Sequence, residues 1–89
     1  MTNQELYETI LEQVRTIISD ETGTDFEEIT PDSILDEELE IGPTDFLRIV
    51  AAVNDELQIN LNAKELAAEE SVTTVRGLAA VACEEVELG

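Results

Sequence analysis

Carboxylates are the most abundant side chains that could do chemistry in this 89-residue sequence, which has 22 Asp and Glu residues and no histidine. Without histidine the chain lacks the usual general base near neutral pH and the commonest metal ligand. Residues 20–25 are rich in oxygen donors but have neither the ligand order nor the glycine position of a calcium-binding EF-hand loop. We therefore predict no catalytic residue, no specific metal site and no enzymatic activity.

The only thiol is that of Cys83, which has no second cysteine in the sequence to pair with. A reducing compartment is therefore expected, and the neighbouring carboxylates should make this thiol unreactive. The first ten residues, MTNQELYETI, show neither the cationic nor the apolar segment of an export signal. No apolar run is long enough to span a bilayer. These features predict a soluble, cytoplasmic protein.

The formal net charge of -18 limits the partners that this protein can have. Nucleic acid and anionic membrane surfaces are repelled, whereas a basic protein surface is attracted and steered into contact. The hydrophobic content of 43% is too high for a disordered acidic tail, and the length suits one domain over residues 1–89. We expect a monomer that binds basic surfaces and does not insert into membranes.

The elements that must position these carboxylates are four helices of unequal length. Apolar residues at three- and four-residue spacing predict a first helix that ends near Ser19, with Arg15 on its outer side. Thr2 and Glu5 have the spacing of a capping box at its start. Residues 22–42 do not show the helical spacing but still contain apolar side chains. We therefore predict a long connection that these side chains attach to the core, with a short turn near Pro31.

A second helix is predicted to begin at the Gly42-Pro43-Thr44 step, because proline is favoured at the first helical position. Residues 57–61 alternate like a strand but have no partner strand, so they are interpreted as an extended link. A short helix over residues 63–68 follows with Asn62 as its cap, and Thr73 or Thr74 caps the last helix. Asn54 is predicted to be a local hydrogen-bonding residue at the edge of the core. It belongs to the stripe predicted for the second helix, which comprises Phe46, Leu47, Val50, Val53, Asn54 and Leu57, with Ile49 beside it.

Three stretches, taken in order, resemble the acyl carrier protein family. They are ITPDSILDEEL at residues 29–39, DFLRIV and NDEL within residues 45–57, and VTTVRGL at residues 72–78. The resemblance implies an all-α, four-helix bundle with a long ordered loop between the first two helices. It also implies a non-catalytic, carrier-like protein that docks on acyl-handling enzymes of fatty acid, lipid or polyketide metabolism.

The resemblance further implies a 4'-phosphopantetheine arm, which the family attaches to a serine in an Asp-Ser-Leu step at the start of the second helix. An ungapped comparison places Gly42, Pro43 and Thr44 at those three positions, and proline has no hydroxyl to form the phosphodiester. Thr44 is the alternative attachment candidate, although its hydroxyl is secondary and lies about 100° further round the helix. We predict that the chain is not modified at the usual position.

The resemblance implies that partners dock on the acidic loop and the second helix. The alternative is that these charges form only a solvated surface with no partner. Arg48 is the only cation of the second helix and suggests either a helical pair with Asp45 or an altered docking face. An acidic interaction or regulatory module with this fold and no acyl cargo is the alternative function. The docking residues we predict are Asp36, Glu37, Glu38, Glu40, Asp45, Asp55 and Glu56.

Overall fold

The computed structural model of the chain describes residues 3–68 and 72–88. It contains helices α1 (Asn3–Thr22), α2 (Pro43–Leu57), α3 (Ala63–Ala68) and α4 (Val75–Leu88), with a single 3-10 turn at Phe26–Glu28. The part of the chain that is described contains no strand, only one isolated antiparallel bridge between Ile34 and Thr74. The all-α bundle with a long ordered loop between the first two helices is confirmed.

The core lies between α1 and its two neighbours, because α1 packs on both α4 and α2, and α3 packs on α2. None of the described helices has the length and apolar character needed to cross a membrane. The largest fully buried side chains come from α1, α2, α4 and the long loop, and they are Ile10, Val14, Ile18, Ile29, Ile49, Val50, Val53, Val75 and Leu78.

Helix α1 extends three residues beyond the predicted end at Ser19. It stops at Gly23, whose φ of 75° is the left-handed conformation that closes a helix and that glycine adopts without strain. The N–H of Gly23 donates to the carbonyl of Ser19 at 2.9 Å, and the Thr22 hydroxyl donates to the carbonyl of Ile18 at 2.7 Å. At the other end, the Thr2 of the predicted capping box lies outside the described residues.

Arg15 does not lie on the outer side of α1 as predicted, but is half-buried against the long loop. Its guanidinium donates from Nε to the carbonyl of Ile29 and from Nη2 to the carbonyl of Phe26, the latter at 3.2 Å. The same group stacks over the Phe26 ring, 4.2 Å from its centroid. One α1 side chain therefore holds the first part of the loop through two carbonyls and an aromatic face.

The second part of the loop is joined to the segment that leads into α4. The N–H of Leu35 donates to the carbonyl of Thr73 at 2.9 Å, and the N–H of Val75 donates to the carbonyl of Ser33 at 3.1 Å. The predicted turn near Pro31 is present, since the N–H of Ser33 donates to the carbonyl of Thr30 at 3.1 Å. The long connection is ordered because both of its halves are hydrogen-bonded to helical segments.

Helices α2, α3 and α4 begin where the sequence predicts them to begin. The predicted caps are formed, because Asn62 Oδ1 accepts the N–H of Glu65 and the Thr74 hydroxyl accepts the N–H of Gly77, each at 3.1 Å. Thr74, rather than Thr73, therefore caps α4. Local sequence signals were therefore sufficient to predict where these three helices begin.

Asn54 holds the extended link that follows α2. Its Nδ2 donates to the carbonyl of Leu61 at 3.0 Å, while its Oδ1 accepts the N–H of the same residue at 2.8 Å. This two-point contact fixes the chain between α2 and α3 in the absence of a partner strand. Asn54 is half-buried, and its prediction as a hydrogen-bonding residue at the edge of the core is confirmed.

Replacing Asn54 by alanine is expected to lower the free energy of unfolding by about 1–2 kcal/mol, because two part-buried backbone groups lose their partners. The exposed Asn60 on the same link makes no side-chain contact of this kind and provides the control variant Asn60→Ala. Urea unfolding followed by circular dichroism measures both variants. Equal midpoints for the two would contradict the assigned role of Asn54.

Leu47 also departs from the prediction, because its side chain is 48% exposed rather than part of the buried stripe of α2. The buried face of α2 consists of Phe46, Ile49, Val50 and Val53. Leu47 follows Phe46 by one residue, or about 100° of helix, and therefore projects beyond that face. Leu47 was assigned to the stripe because it is apolar, and that criterion alone was not sufficient.

Candidate functional site

The site begins at the N-terminus of α2, where Gly42 is the capping residue and Pro43 the first helical residue. Gly42 has extended backbone angles (φ -79°, ψ 175°) and its carbonyl accepts the N–H of Phe46 at 2.9 Å. The side chain of Pro43 is exposed. This geometry is an ordinary helix start that presents a ring without a polar atom to solvent.

A surface cavity of about 570 Å³ lies beside this helix start, between the long loop, α2 and α3. Its wall is largely apolar, and polar side chains occur only at Asp36, Lys64 and Thr73, which are all exposed. The volume is within the range of roughly 300–1,000 Å³ that is typical of ligand pockets. The apolar lining residues are Leu35, Ile41, Gly42, Pro43, Phe46, Leu47, Ala63 and Val72.

Four of the predicted docking carboxylates lie on one closed turn beside this cavity, which we call the acidic turn (residues 36–40). The turn is closed by the N–H of Ile41, which donates to the carbonyl of Leu35 at 2.9 Å, and both of these residues line the cavity. The carboxylates of the acidic turn are all exposed, and they belong to Asp36, Glu37, Glu38 and Glu40.

The other three predicted docking residues are divided between the ends of α2. Asp45 is half-buried in the first turn, close to the acidic turn, whereas Asp55 and Glu56 are exposed near the C-terminus. At 1.5 Å per residue, Asp45 and Asp55 are about 15 Å apart along the helix axis. The structure thus gathers four of the seven carboxylates on the acidic turn, of which Asp36 lines the cavity, and places Asp45 at the start and the other two at the far end of α2.

Of the two alternatives for Arg48, the helical pair with Asp45 is not formed. In residues 3–68 and 72–88, the one ion pair within 4.0 Å joins Arg76 and Asp32, at 3.2 Å. Both of its side chains are largely exposed, so it contributes little to stability. Arg48 is exposed on the outer side of α2 and is available to a partner.

The hydroxyl groups near the start of α2 differ in their accessibility. Thr44 is exposed at the second helical position. Ser33, which stands in an Asp-Ser-Ile step of the loop, is only 3% exposed, and its hydroxyl lies 3.0 Å from both the N–H and the hydroxyl of Thr30. Ser33 is therefore a structural hydroxyl that closes a turn, and it cannot be reached by a modifying enzyme in the folded protein.

Cys83 is buried in α4, away from the cavity wall. Burial raises the pKa of the Cys83 thiol, and the negative charge of Glu87 raises it further. A thiol with a raised pKa is a poor nucleophile at neutral pH. The burial and the raised pKa agree with the sequence-based prediction of an unreactive thiol.

A family model described as "phosphopantetheine attachment site" matches residues 12–82, which is most of the chain. The match extends from the middle of α1, through the acidic turn and α2, into α4. This chain belongs to that family of carrier domains, and the resemblance to acyl carrier proteins is confirmed. No curated protein matches the sequence. Family membership supports a carrier-protein function in general.

The family also implies a 4'-phosphopantetheine group, and the residues around Pro43 do not fit its usual attachment. Proline at the first position of α2 offers no oxygen for a phosphodiester, and the buried Ser33 offers none that is accessible. Thr44 is the single exposed hydroxyl of the first turn of α2, but it lies one residue past the position. An apolar cavity lies beside position 43, whereas the proline there has no hydroxyl that could anchor an arm.

Proposed function

We propose that this carrier-family protein docks on acyl-handling enzymes of fatty acid, lipid or polyketide type without carrying an arm at Pro43. The observation that carries the proposal is the combination at the start of α2, where a non-nucleophilic proline adjoins both an apolar cavity and an exposed acidic turn. The docking residues are those of the acidic turn together with Asp45, Asp55 and Glu56. The chain itself is non-catalytic.

Charge complementarity supports docking on a basic surface. Four of the carboxylates lie together on the acidic turn, of which Asp36 lines the cavity, in a chain with a formal net charge of -18, and opposite fields raise association rates. We also propose a cytoplasmic location, which the single buried Cys83 with no cysteine to pair with supports. The missing hydroxyl supports a second candidate as well, namely an acidic regulatory module that handles no acyl cargo.

A double charge reversal in the acidic turn tests the docking. The variant Glu37→Lys/Glu38→Lys is expected to lower the association rate with a basic acyl-handling enzyme by about tenfold at low salt. The variant Glu84→Lys/Glu87→Lys, which makes the same charge change at exposed positions of α4, is the matched control. Surface plasmon resonance with a panel of acyl-transferring and chain-condensing enzymes measures both.

The salt dependence separates electrostatic steering from other effects. When the salt concentration is raised from about 0.02 M to about 0.3 M, the charges are screened, and the difference in association rate between the two variants should become smaller. Equal association rates for the two variants at low salt would remove the acidic turn from the docking surface. Binding to none of the enzymes in the panel would favour the regulatory module.

A further inference from the structure

The backbone of the acidic turn is strained at its last residue. Glu40 has a φ of 53°, in the left-handed region that side chains other than glycine rarely adopt. The conformation is disfavoured because it brings Cβ too close to a backbone carbonyl oxygen. Within residues 3–68 and 72–88, Gln58 is the one other non-glycine residue with a positive φ, which is 55°. The closed form of the acidic turn therefore carries a conformational cost at Glu40.

Backbone hydrogen bonds hold the turn in this strained form. The N–H of Leu39 donates to the carbonyl of Ile34 at 3.1 Å, and the N–H of Ile41 donates to the carbonyl of Leu35 at 2.9 Å. The second bond spans Glu40. A rotation of the backbone at Glu40 out of the left-handed region would therefore relieve the strain and break this bond in one step.

No ion pair reinforces the closed turn. The one ion pair within 4.0 Å in the described part of the chain joins Arg76 and Asp32, outside the turn. Repulsion among the exposed carboxylates of the turn acts in the same direction as the backbone strain. The side chains that favour closure are two apolar anchors at its ends, Leu35 and Ile41, each only 5% exposed.

Both ends of the turn are held by the rest of the fold, which confines an opening to the turn itself. On one side, the N–H of Leu35 donates to the carbonyl of Thr73 at 2.9 Å. On the other side, the chain enters α2 at Pro43, whose ring fixes its φ. Because Leu35 takes part in the contacts with both Thr73 and Ile41, freeing it from Thr73 also requires the turn to open. Opening of the turn is therefore the first step in any larger opening of the loop.

The ends of the turn also form part of the wall of the cavity of about 570 Å³. Leu35, Asp36 and Ile41 line it from the loop, while the rest of the lining comes from α2, α3 and the segment before α4. Separation of Ile41 from Leu35 removes part of this wall. The size and accessibility of the cavity therefore depend on whether the acidic turn is closed.

We propose that the acidic turn is a gate of this cavity, which opens when the backbone at Glu40 leaves the left-handed region and Ile41 separates from Leu35. The gate is a property of the chain alone and is independent of any enzyme that docks on it. Its open state is a local opening of a folded domain, which costs less free energy than global unfolding and is detected by amide hydrogen exchange.

Three substitutions at the exposed position 40 change the balance between the closed and open states. Glu40→Gln removes the charge and serves as the reference. Relative to it, Glu40→Gly is expected to raise the protection of the Ile41 amide about threefold, because glycine adopts the left-handed conformation without strain. Glu40→Val should lower this protection about fivefold, because a β-branched residue is a true outlier there. Hydrogen exchange followed by NMR measures the three variants.

Gln58 provides matched controls, because it is exposed, left-handed and outside the cavity wall. Gln58→Gly and Gln58→Val should change the protection of Ile59, whose N–H donates to the carbonyl of Asn54 at 3.0 Å, and leave that of Ile41 unchanged. The amide of the fully buried Val53 reports global unfolding. Equal protection of Ile41 and Val53 in the wild-type protein would show that the turn opens only when the whole domain unfolds, which would overturn the proposal.

The neutral apolar dye Nile red tests whether the turn controls access to the cavity. When binding requires an open state, the association rate follows the fraction of molecules that are open. Compared with Glu40→Gln, we therefore expect association about fivefold faster for Glu40→Val and about threefold slower for Glu40→Gly in stopped-flow fluorescence. Equal rates for the three variants, no binding to any of them, or an equal increase with Gln58→Val would each overturn the gate.

Discussion

A Pro43→Ser variant is expected to gain the mass of one phosphopantetheine arm when it is incubated with coenzyme A and a phosphopantetheinyl transferase, while the wild-type chain keeps its mass. Pro43 is exposed at the first position of α2, at the mouth of an apolar cavity and beside the acidic turn. The substitution adds a primary hydroxyl at the family's attachment position. Because it lies at a helix start, it should cost little stability. Intact mass spectrometry gives an all-or-none result.

The control variant Thr44→Ser tests whether modification depends on where the hydroxyl lies or only on its being a primary hydroxyl. It supplies a primary hydroxyl one residue further along α2, about 100° round the helix, and we expect it to remain unmodified. A wild-type chain that gains an arm, and loses that gain in Thr44→Val, would instead establish Thr44 as the attachment site. That result would show that the protein is a true carrier.

The second large effect is expected from Arg15→Met, which should lower the free energy of unfolding by about 2–3 kcal/mol. The substitution keeps an unbranched apolar stem on α1 but removes the guanidinium that bonds the carbonyls of Phe26 and Ile29 and stacks on the Phe26 ring. Native domains of this kind are stable by only about 5–15 kcal/mol, so the loss is a large fraction of the whole. Urea unfolding monitored by circular dichroism measures it.

Two further variants identify the cause of this loss. Arg48→Met makes the same charge change at an exposed side chain and should alter stability by no more than about 0.5 kcal/mol. Arg15→Lys keeps the charge but loses the planar fork, so it should recover only part of the loss. Equal destabilisation by Arg15→Met and Arg48→Met would show that the charge of the chain, rather than the contact with the loop, is responsible.

Much of the fold could be predicted because its helices carry local signals. Proline at the first position of α2, Asn62 before α3 and the Thr73-Thr74 step before α4 each mark a helix start, and the structure begins the helices there. The family resemblance was also accessible, since its three stretches are contiguous in the sequence. The end of α1 was misjudged because Gly23, rather than the loss of apolar period, terminates the helix.

The contacts that could not be predicted join residues that are distant in sequence. Arg15 has the spacing of an outward residue on α1, and only the folded path of the loop brings two carbonyls and the Phe26 ring to it. Leu47 was assigned to the core because a hydrophobic residue next to a stripe resembles part of that stripe. Its exposure depends on how α2 is rotated against α1, which the sequence of α2 alone does not determine.

The same limitation applies to the candidate site. The sequence identified the seven carboxylates and the proline, but it could not show that Asp36 lines the same cavity as Pro43 while Asp55 and Glu56 lie at the far end of α2. The cavity itself has no sequence signature. It is formed by residues of the loop, α2, α3 and the segment before α4, whose proximity is a property of the fold.

The bridge between Ile34 and Thr74 joins the loop that carries the acidic turn to the segment that starts α4. Because the loop is hydrogen-bonded to the segment that starts α4, neither can open alone without breaking the bonds at Leu35 and Val75. A partner that holds the acidic turn closed should therefore also slow amide hydrogen exchange in the first turns of α4, which lie outside the docking surface. Docking at one end of the bundle would thus be transmitted to the last helix as added rigidity.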